Sequence, residues 1–220
     1  MKKIQFISLL ILMLVFTFVL TGCDNGGGGG DPEPELADWT GTWNSYFMYY
    51  DEQEIVAILN ARYEATPAYQ TRFDTLEKFI TFVASVVRTD FGSFVIQGNK
   101  ITFYEQKADA KNPSGKVLET VTYTYKGRRS DTHSDPGGGT EDFEWYAFEG
   151  DKAGDYKYLL IEGEAERDTP DGPVHFHMRY GSKSFDDLLY TPKDNYGNWS
   201  PTIISYDTTI AELIVFMSGD

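Results

Sequence analysis

The sequence has few of the residues on which several classes of protein depend. Its 220 residues include one cysteine and three histidines, and 19 lysines and arginines stand against 34 aspartates and glutamates. A single cysteine excludes an internal disulfide. The formal net charge of −15 argues against nucleic acid and anionic lipid surfaces as partners, because both would repel the chain.

The common sequence motifs of catalysis are absent as well. The chain has no His-Glu-x-x-His helix, no Gly-x-Ser-x-Gly elbow and no glycine-rich phosphate loop. None of these motifs is present to supply the general base or nucleophile that hydrolysis needs. The sequence therefore predicts a binding protein and not an enzyme.

Only one long apolar run is present, and it lies at the N-terminus. Two lysines precede Ile4–Leu20, and the run closes with Leu20-Thr21-Gly22-Cys23, the pattern of a bacterial lipoprotein signal. An uncleaved membrane anchor is the alternative, since about 20 apolar residues span a bilayer. The small residue and the cysteine at the end of the run favour cleavage. We therefore predict a signal peptide over residues 1–22 and lipidation of Cys23, which would anchor the protein to a membrane of the bacterial cell envelope, facing the periplasm or the exterior.

A flexible tether follows the predicted lipidation site. Residues 23–35 contain five consecutive glycines and an Asp-Pro-Glu-Pro-Glu run, with nothing to bury. Removal of residues 1–22, which carry two lysines and no acids, makes the formal net charge −17. Residues 36–220 are long enough for one domain with a substantial core.

Helical patterns lie near both ends of this domain. An aromatic-rich segment, Trp39–Tyr50, predicts a first strand, and Asp51 with Glu54 has the spacing of a helix capping box. From Thr75 onward, apolar residues recur at intervals of three and four, which indicates a second helix. Two more helices are predicted near residues 184–190 and 208–217.

The middle of the chain has the two-residue period of strands. Apolar alternation on both sides of Gly98-Asn99 predicts a β-hairpin. Sequential strands joined by polar turns indicate an antiparallel meander that closes into a barrel or packs as a sandwich, with the barrel as the first expectation. The fold class is therefore α+β. The further predicted strands are 117–125, 143–148, 156–161 and 174–180.

His175-Phe176-His177 is the pattern most indicative of function. Residues two apart on a strand share a face, so both imidazoles can approach one ion. Glu164, on the run before this strand, would make a three-ligand site suited to zinc. The tripeptide alone also fits ordinary strand residues. His133, the third histidine, lies in a polar segment that predicts a surface loop.

Several segments resemble the ZinT (YodA) family of bacterial proteins. They are the opening Asp38-Trp39-Thr40-Gly41-Thr42-Trp43, the segment Lys157-Tyr158-Leu159-Leu160, the strand His175-Phe176-His177-Met178-Arg179-Tyr180-Gly181 with Phe185-Asp186-Asp187-Leu188-Leu189 after it, and Asn198-Trp199-Ser200-Pro201-Thr202. The resemblance extends from about Trp39 to Met217. It implies a calycin (lipocalin-like) antiparallel β-barrel with added helices that binds zinc, and often cadmium, in the periplasm. It also implies delivery of zinc to the solute-binding protein of a zinc ABC importer.

The family site that this resemblance implies uses three histidines, of which His175 and His177 match the pair. Aligning Lys157-Tyr158 places the third ligand at Glu164, whereas counting back from His175 without a gap places it at Glu166. We favour Glu164, because a loop absorbs a length change more easily than a strand. A carboxylate still binds zinc but accommodates iron or manganese better than a third imidazole would.

One other function is open at this level. A lipocalin-type carrier would hold a small organic ligand in its barrel, lined by some of the 30 tyrosines and phenylalanines, and would have no metal role. Metal binding makes a prediction that this carrier does not. Because a ligating imidazole must be neutral, zinc affinity is expected to fall as the pH drops through about 6.5.

Overall fold

Eight strands form a closed antiparallel barrel in which each strand pairs with its neighbours in sequence and β1 pairs with β8. A computed structural model describes residues 34–113, 115–134, 140–189 and 199–218. The predicted signal peptide, Cys23 and residues 24–33 of the tether lie outside this part. The α+β barrel prediction is confirmed. The strands are β1 (Gly41–Ser45), β2 (Ser93–Gln97), β3 (Lys100–Tyr104), β4 (Val117–Ser134), β5 (Thr140–Gly150), β6 (Tyr158–Glu166), β7 (His175–Gly181) and β8 (Thr202–Ser205).

Alternation of apolar side chains gives the barrel a packed interior. The predicted hairpin is β2–β3, with Gly98 at φ 58° in its turn, a conformation that glycine adopts without strain. Aromatic rings dominate the interior, and Phe103 stacks on Tyr156 with ring centroids 4.0 Å apart. A barrel of eight strands has room either for interior side chains or for one small ligand, and here aromatic side chains fill the interior. This packing does not favour the organic-ligand carrier. Members of the interior cluster include Trp39, Trp43, Phe91, Phe94, Phe103, Tyr156, Phe176, Met178 and Tyr180.

In the part of the chain that the structure describes, five α-helices are added to the barrel. Helix α3 begins directly after Thr75, as predicted, and Thr75 caps it by accepting a hydrogen bond from the Lys78 backbone N–H. The cap predicted at Asp51 is wrong by one residue, because α1 has Glu52 at its N-cap and no side-chain capping bond. The helices are α1 (Gln53–Ala65), α2 (Pro67–Arg72), α3 (Leu76–Val87), α4 (Phe185–Leu189) and α5 (Ile210–Ser218).

The helices cover parts of the outer face of the barrel. Residues of α1, α3 and α5 form a second apolar cluster with Ile204 of β8. A smaller cluster joins Leu188 of α4 to Trp145 and Leu160 on β5 and β6. The outward side chains of β7 lie between these two clusters.

The strand pattern differs from the prediction in several places, among them the ends of β5 and β6, of which β6 continues to Glu166. The aromatic segment 39–50 contains only the short strand β1, because 3₁₀ turns at Leu36–Trp39 and Tyr46–Tyr49 flank it. The strand β4 continues to Ser134, so the prediction that His133 lies in a loop is wrong. The short strand β8 was not predicted, although it closes the barrel.

Among the described helices, none is long and apolar enough to cross a membrane.

Candidate metal centre

Strand β7 directs its two histidines away from the barrel interior. Phe176 and Met178 belong to the interior cluster, so by alternation His175, His177 and Arg179 lie on the outer face. The His175 and His177 ring centroids are 5.6 Å apart. The predicted sharing of one face by the two imidazoles is therefore present in the structure.

His175 lies under helix α5 and is almost fully buried. It is 6% exposed, and the ring of Phe216 lies 4.9 Å away. Its Nε2 is 3.5 Å from Oδ2 of Asp168, in the loop between β6 and β7. Its Nδ1 is buried and has no hydrogen-bond partner within the part of the chain that the structure describes. A buried polar atom without a partner is uncommon in native proteins and needs an explanation.

His177 is half-buried and held by polar groups of the segment around β8. The Thr202 hydroxyl oxygen lies 3.4 Å from its Nδ1, and a hydrogen bond links the ring to the backbone of Ser200. Such contacts fix the ring orientation, as is usual for histidines that bind metal. Burial, together with the adjacent His175, lowers the pKa of His177 to about 4.

This lowered pKa changes the expected pH dependence. An unperturbed histidine becomes protonated as the pH drops through about 6.5, whereas His177 stays neutral until the pH approaches 4. The expectation that protonation of His177 weakens metal binding near pH 6.5 is therefore wrong, because burial disfavours the charged imidazolium.

A bulge in β6 determines which of its residues lie opposite the histidines. Glu162 pairs with His177 and Glu166 pairs with His175, so the three residues between the glutamates stand opposite Phe176 alone. Gly163 lies in this bulge at φ 62°. Ala165 packs against the interior cluster, and its exposed neighbours Glu164 and Glu166 therefore face away from the interior.

The two candidate third ligands that the sequence alignments give therefore lie at different positions relative to the histidines. Glu166 is the direct register partner of His175, whereas Glu164 lies within the bulge. No three histidine, cysteine, aspartate or glutamate side chains form a group that could hold a metal ion across residues 34–113, 115–134, 140–189 and 199–218. The two histidines lie side by side, but in this described part of the chain no third potential ligand is close enough to complete a metal site with them. The roles of Glu164 and Glu166 stay predictions.

Three polar residues near the pair were not among the predicted site residues. Asp168 contacts His175, Thr202 contacts His177, and Glu162 is the register partner of His177. Strand parity could have indicated Glu162, which lies two residues before Glu164. Asp168 is in a loop and Thr202 in the strand that was not predicted, so no periodicity pointed to either.

Arg179 joins the histidine strand to helix α4. It is 1% exposed, and it donates hydrogen bonds to Asp131 and to the carbonyl oxygen of Leu188, each at 2.9 Å. Its guanidinium lies over the ring of Trp145. These contacts hold β7 in place against α4 and β5 at Arg179, two residues after His177 on the same face of the strand.

Asp187, in the first turn of α4, has a local role. The backbone N–H of Asp187 donates to the Ser184 hydroxyl, and this hydroxyl donates to the Asp187 carboxylate. The Asp187 carboxylate therefore bonds at the helix start, which is the ordinary position for an acidic residue.

The chemistry of the pair suits a borderline divalent ion. A tetrahedral zinc ion with Zn–N bonds of about 2.0–2.1 Å would hold two imidazole centroids about 5 Å apart, close to the observed 5.6 Å. His177 is neutral at physiological pH, as a ligand must be. His175 thus offers two ring nitrogens to an ion, the unpartnered Nδ1 and Nε2, which faces Asp168.

Comparisons with known proteins agree with this reading of the fold. The chain is similar to the Zn(II)-bound ZinT-like domain of AdcA from Streptococcus pneumoniae, with 18% identity and a TM-score of 0.57, over 84% of this chain and 90% of that domain. It is also similar to Zn(II)-bound AdcA itself, with 19% identity and a TM-score of 0.58, over 83% of this chain. This chain corresponds to only 35% of that longer protein. At these identities the likeness shows the fold alone.

A comparison with curated proteins found no match. The family profile described as ZinT (YodA) periplasmic lipocalin-like zinc-recruitment matches residues 32–216. This match covers most of the chain and includes both histidines, the β6 glutamates and helix α5 up to Phe216. The protein therefore belongs to the ZinT (YodA) family of periplasmic, lipocalin-like zinc-recruitment proteins.

Proposed function

We propose that the protein binds a divalent metal ion, zinc above all and cadmium as a related ion, through His175 and His177 on the outer face of the barrel. The third ligand predicted from the sequence is Glu164 or Glu166. The observation that carries the proposal is the convergence of the two imidazoles, 5.6 Å apart, in a chain of the zinc-recruitment family. The role is binding and delivery, not catalysis.

The register of β6 and β7 bears on the choice of the third ligand. Directly paired residues of an antiparallel sheet have Cα atoms about 4.5–5.5 Å apart, and Glu166 is paired in this way with His175. Glu164 would have to reach across from the bulge. The register therefore favours Glu166 over Glu164, in contrast to the preference drawn from the alignment.

The cellular role follows from the N-terminal sequence and the family. A lipid on Cys23 would hold the domain at a membrane of the cell envelope, on its tether of residues 24–35. There the domain would scavenge zinc and pass it to the solute-binding protein of a zinc ABC importer. The occurrence of a ZinT-like domain as one part of the longer Zn(II)-bound AdcA supports an association of this kind of domain with further parts of a zinc-binding protein.

A zinc titration tests the binding proposal. Purified protein treated with a chelator and titrated calorimetrically at pH 7 should bind one zinc ion per chain. Replacing either His175 or His177 with alanine should abolish tight binding, because a ligand is removed from the ion. His133→Ala is the matched control, since it removes the remaining histidine of the chain.

The outcome separates metal binding from the alternatives. Loss of binding in both β7 variants and normal binding in His133→Ala support the proposal. If both β7 variants bind zinc as tightly as wild type, other residues hold the ion and the proposal is refuted. Labelling with a radioactive fatty acid in cells, with Cys23→Ser as the unlabelled control, tests the lipid anchor separately.

A further inference from the structure

We propose that Asp168 is a metal ligand of the histidine site, in addition to the residues that sequence and family indicate. The proposal rests on the metal binding proposed above. It names a carboxylate from the β6–β7 loop, whereas the predicted third ligands Glu164 and Glu166 are strand residues. The feature that carries it is the separation between Asp168 and His175.

The two side chains are spaced as ligands and not as hydrogen-bond partners. Nε2 of His175 and Oδ2 of Asp168 are 3.5 Å apart, beyond the N–H···O range of about 2.7–3.2 Å. Two ligands of one tetrahedral zinc ion, with Zn–N of about 2.0–2.1 Å and Zn–O of about 2.0–2.2 Å, are about 3.4 Å apart. The observed gap is therefore the one that a shared ion would occupy.

His175 lies next to both of the other proposed ligands, His177 and Asp168. Its ring lies 5.6 Å from that of His177, and its Nε2 lies 3.5 Å from Asp168. The three residues do not form a group that could hold an ion as they stand, so ion binding requires their side chains to move closer together. Rotation of the Asp168 side chain to another rotamer can supply such a movement without displacing the loop backbone.

The loop that carries Asp168 is anchored on both sides of it. The Arg167 guanidinium donates hydrogen bonds to Glu212 of α5, at 2.9 Å, and to the carbonyl oxygen of Gly172. The backbone N–H of Gly172 donates to the carbonyl oxygen of Thr169, which forms a turn. These contacts keep Asp168 beside His175 and leave its carboxylate half-buried.

A loop carboxylate would affect both charge and selectivity. Asp168 adds an anionic oxygen donor to two neutral imidazoles, and such donors are harder than a third imidazole. If a β6 glutamate also binds, two carboxylates would neutralise the charge of a divalent ion. The site would then tolerate manganese or iron better than a site of three histidines.

The test compares Asp168→Asn with Asp171→Asn, which makes the same change at an exposed position of the same loop. Zinc affinity and the visible spectrum of the cobalt(II) complex are measured for the whole protein, with Glu164→Gln and Glu166→Gln in parallel. We expect Asp168→Asn to lose more affinity than the roughly 10- to 100-fold typical of a residue that only orients a ligand. Its cobalt bands should also shift, and Asp171→Asn should match wild type.

Each result leads to a different conclusion. If wild type binds zinc and Asp168→Asn behaves like Asp171→Asn, Asp168 is not a ligand and the proposed function stands. Weaker binding with unchanged cobalt bands at saturation would make Asp168 an orienting residue, which also overturns the proposal. If wild type does not bind zinc at all, the proposed function itself fails.

A second variant covers the case in which Asp168→Asn does not fold. Asp168→Glu keeps the carboxylate and lengthens it by one methylene group. If residue 168 ligates cobalt, this change moves the oxygen donor and shifts the bands. If the bands of Asp168→Glu equal those of wild type, the carboxylate does not bind the ion and the proposal is refuted.

Discussion

The metal-free protein should lose stability as the pH falls, because His177 is held neutral in the folded state. Its pKa is lowered to about 4 by burial and by the neighbouring His175, against about 6.5 in an unfolded chain. Between these values the unfolded chain binds a proton that the folded protein does not. The free energy of unfolding therefore decreases as the pH drops through this window.

The size of this effect follows from the difference in pKa. At 1.36 kcal/mol per unit, the full contribution is about 3 kcal/mol and is complete near pH 4. Between pH 7 and pH 5 it amounts to about 2 kcal/mol. This is a large part of the 5–15 kcal/mol that typically stabilises a folded domain, so the effect is measurable.

Urea denaturation of chelator-treated protein at pH 7, 6 and 5 measures the effect. His177→Gln lacks the titrating group but keeps polar atoms that can contact Thr202 and Ser200. Relative to this variant, wild type should lose about 2 kcal/mol between pH 7 and pH 5. His133→Gln is the control and should follow wild type. If the wild-type and His177→Gln curves are parallel, His177 has an ordinary pKa and our description of its burial is wrong.

Two further predictions concern the framework of the site. Arg179→Met should destabilise the protein by about 3–5 kcal/mol in urea denaturation, because it removes the buried partner of Asp131. The control, Arg128→Met, breaks the exposed pair with Glu144 and should cost at most about 1 kcal/mol. Equal losses of stability in the two variants would contradict this prediction. Gly163→Ala should cost about 1–2 kcal/mol, since φ 62° strains any residue with a Cβ, and an unchanged midpoint would show that the bulge has another conformation.

The sequence predicted the parts of the fold that have strong local signals. The stripe after Thr75 and the alternation around Gly98 each bury one face, so the period alone defines the element. Strand β8 has four residues, too few for a period to be recognised, and its place depends on pairing with β1 and β7. The aromatic composition of segment 39–50 predicts a single strand, but aromatic side chains fill the core equally well from 3₁₀ turns.

In the candidate site, too, only the features with a periodic sequence signal could be predicted. The shared face of His175 and His177 follows from the two-residue period of a strand. The register of Glu166 with His175 depends on a bulge, and the position of Asp168 depends on a loop anchored to α5 through Arg167 and Glu212. Neither feature has a periodic signal. The low pKa of His177 also cannot be predicted from the sequence, because it depends on burial by other elements of the fold.

A zinc-edge anomalous difference map from crystals of the zinc-loaded protein tests the central claim most directly. We predict one strong peak on the outer face of β7, about 2.0–2.1 Å from a ring nitrogen of both His175 and His177. A fully loaded crystal with no peak there, or with its zinc bound elsewhere on the chain, would contradict the account.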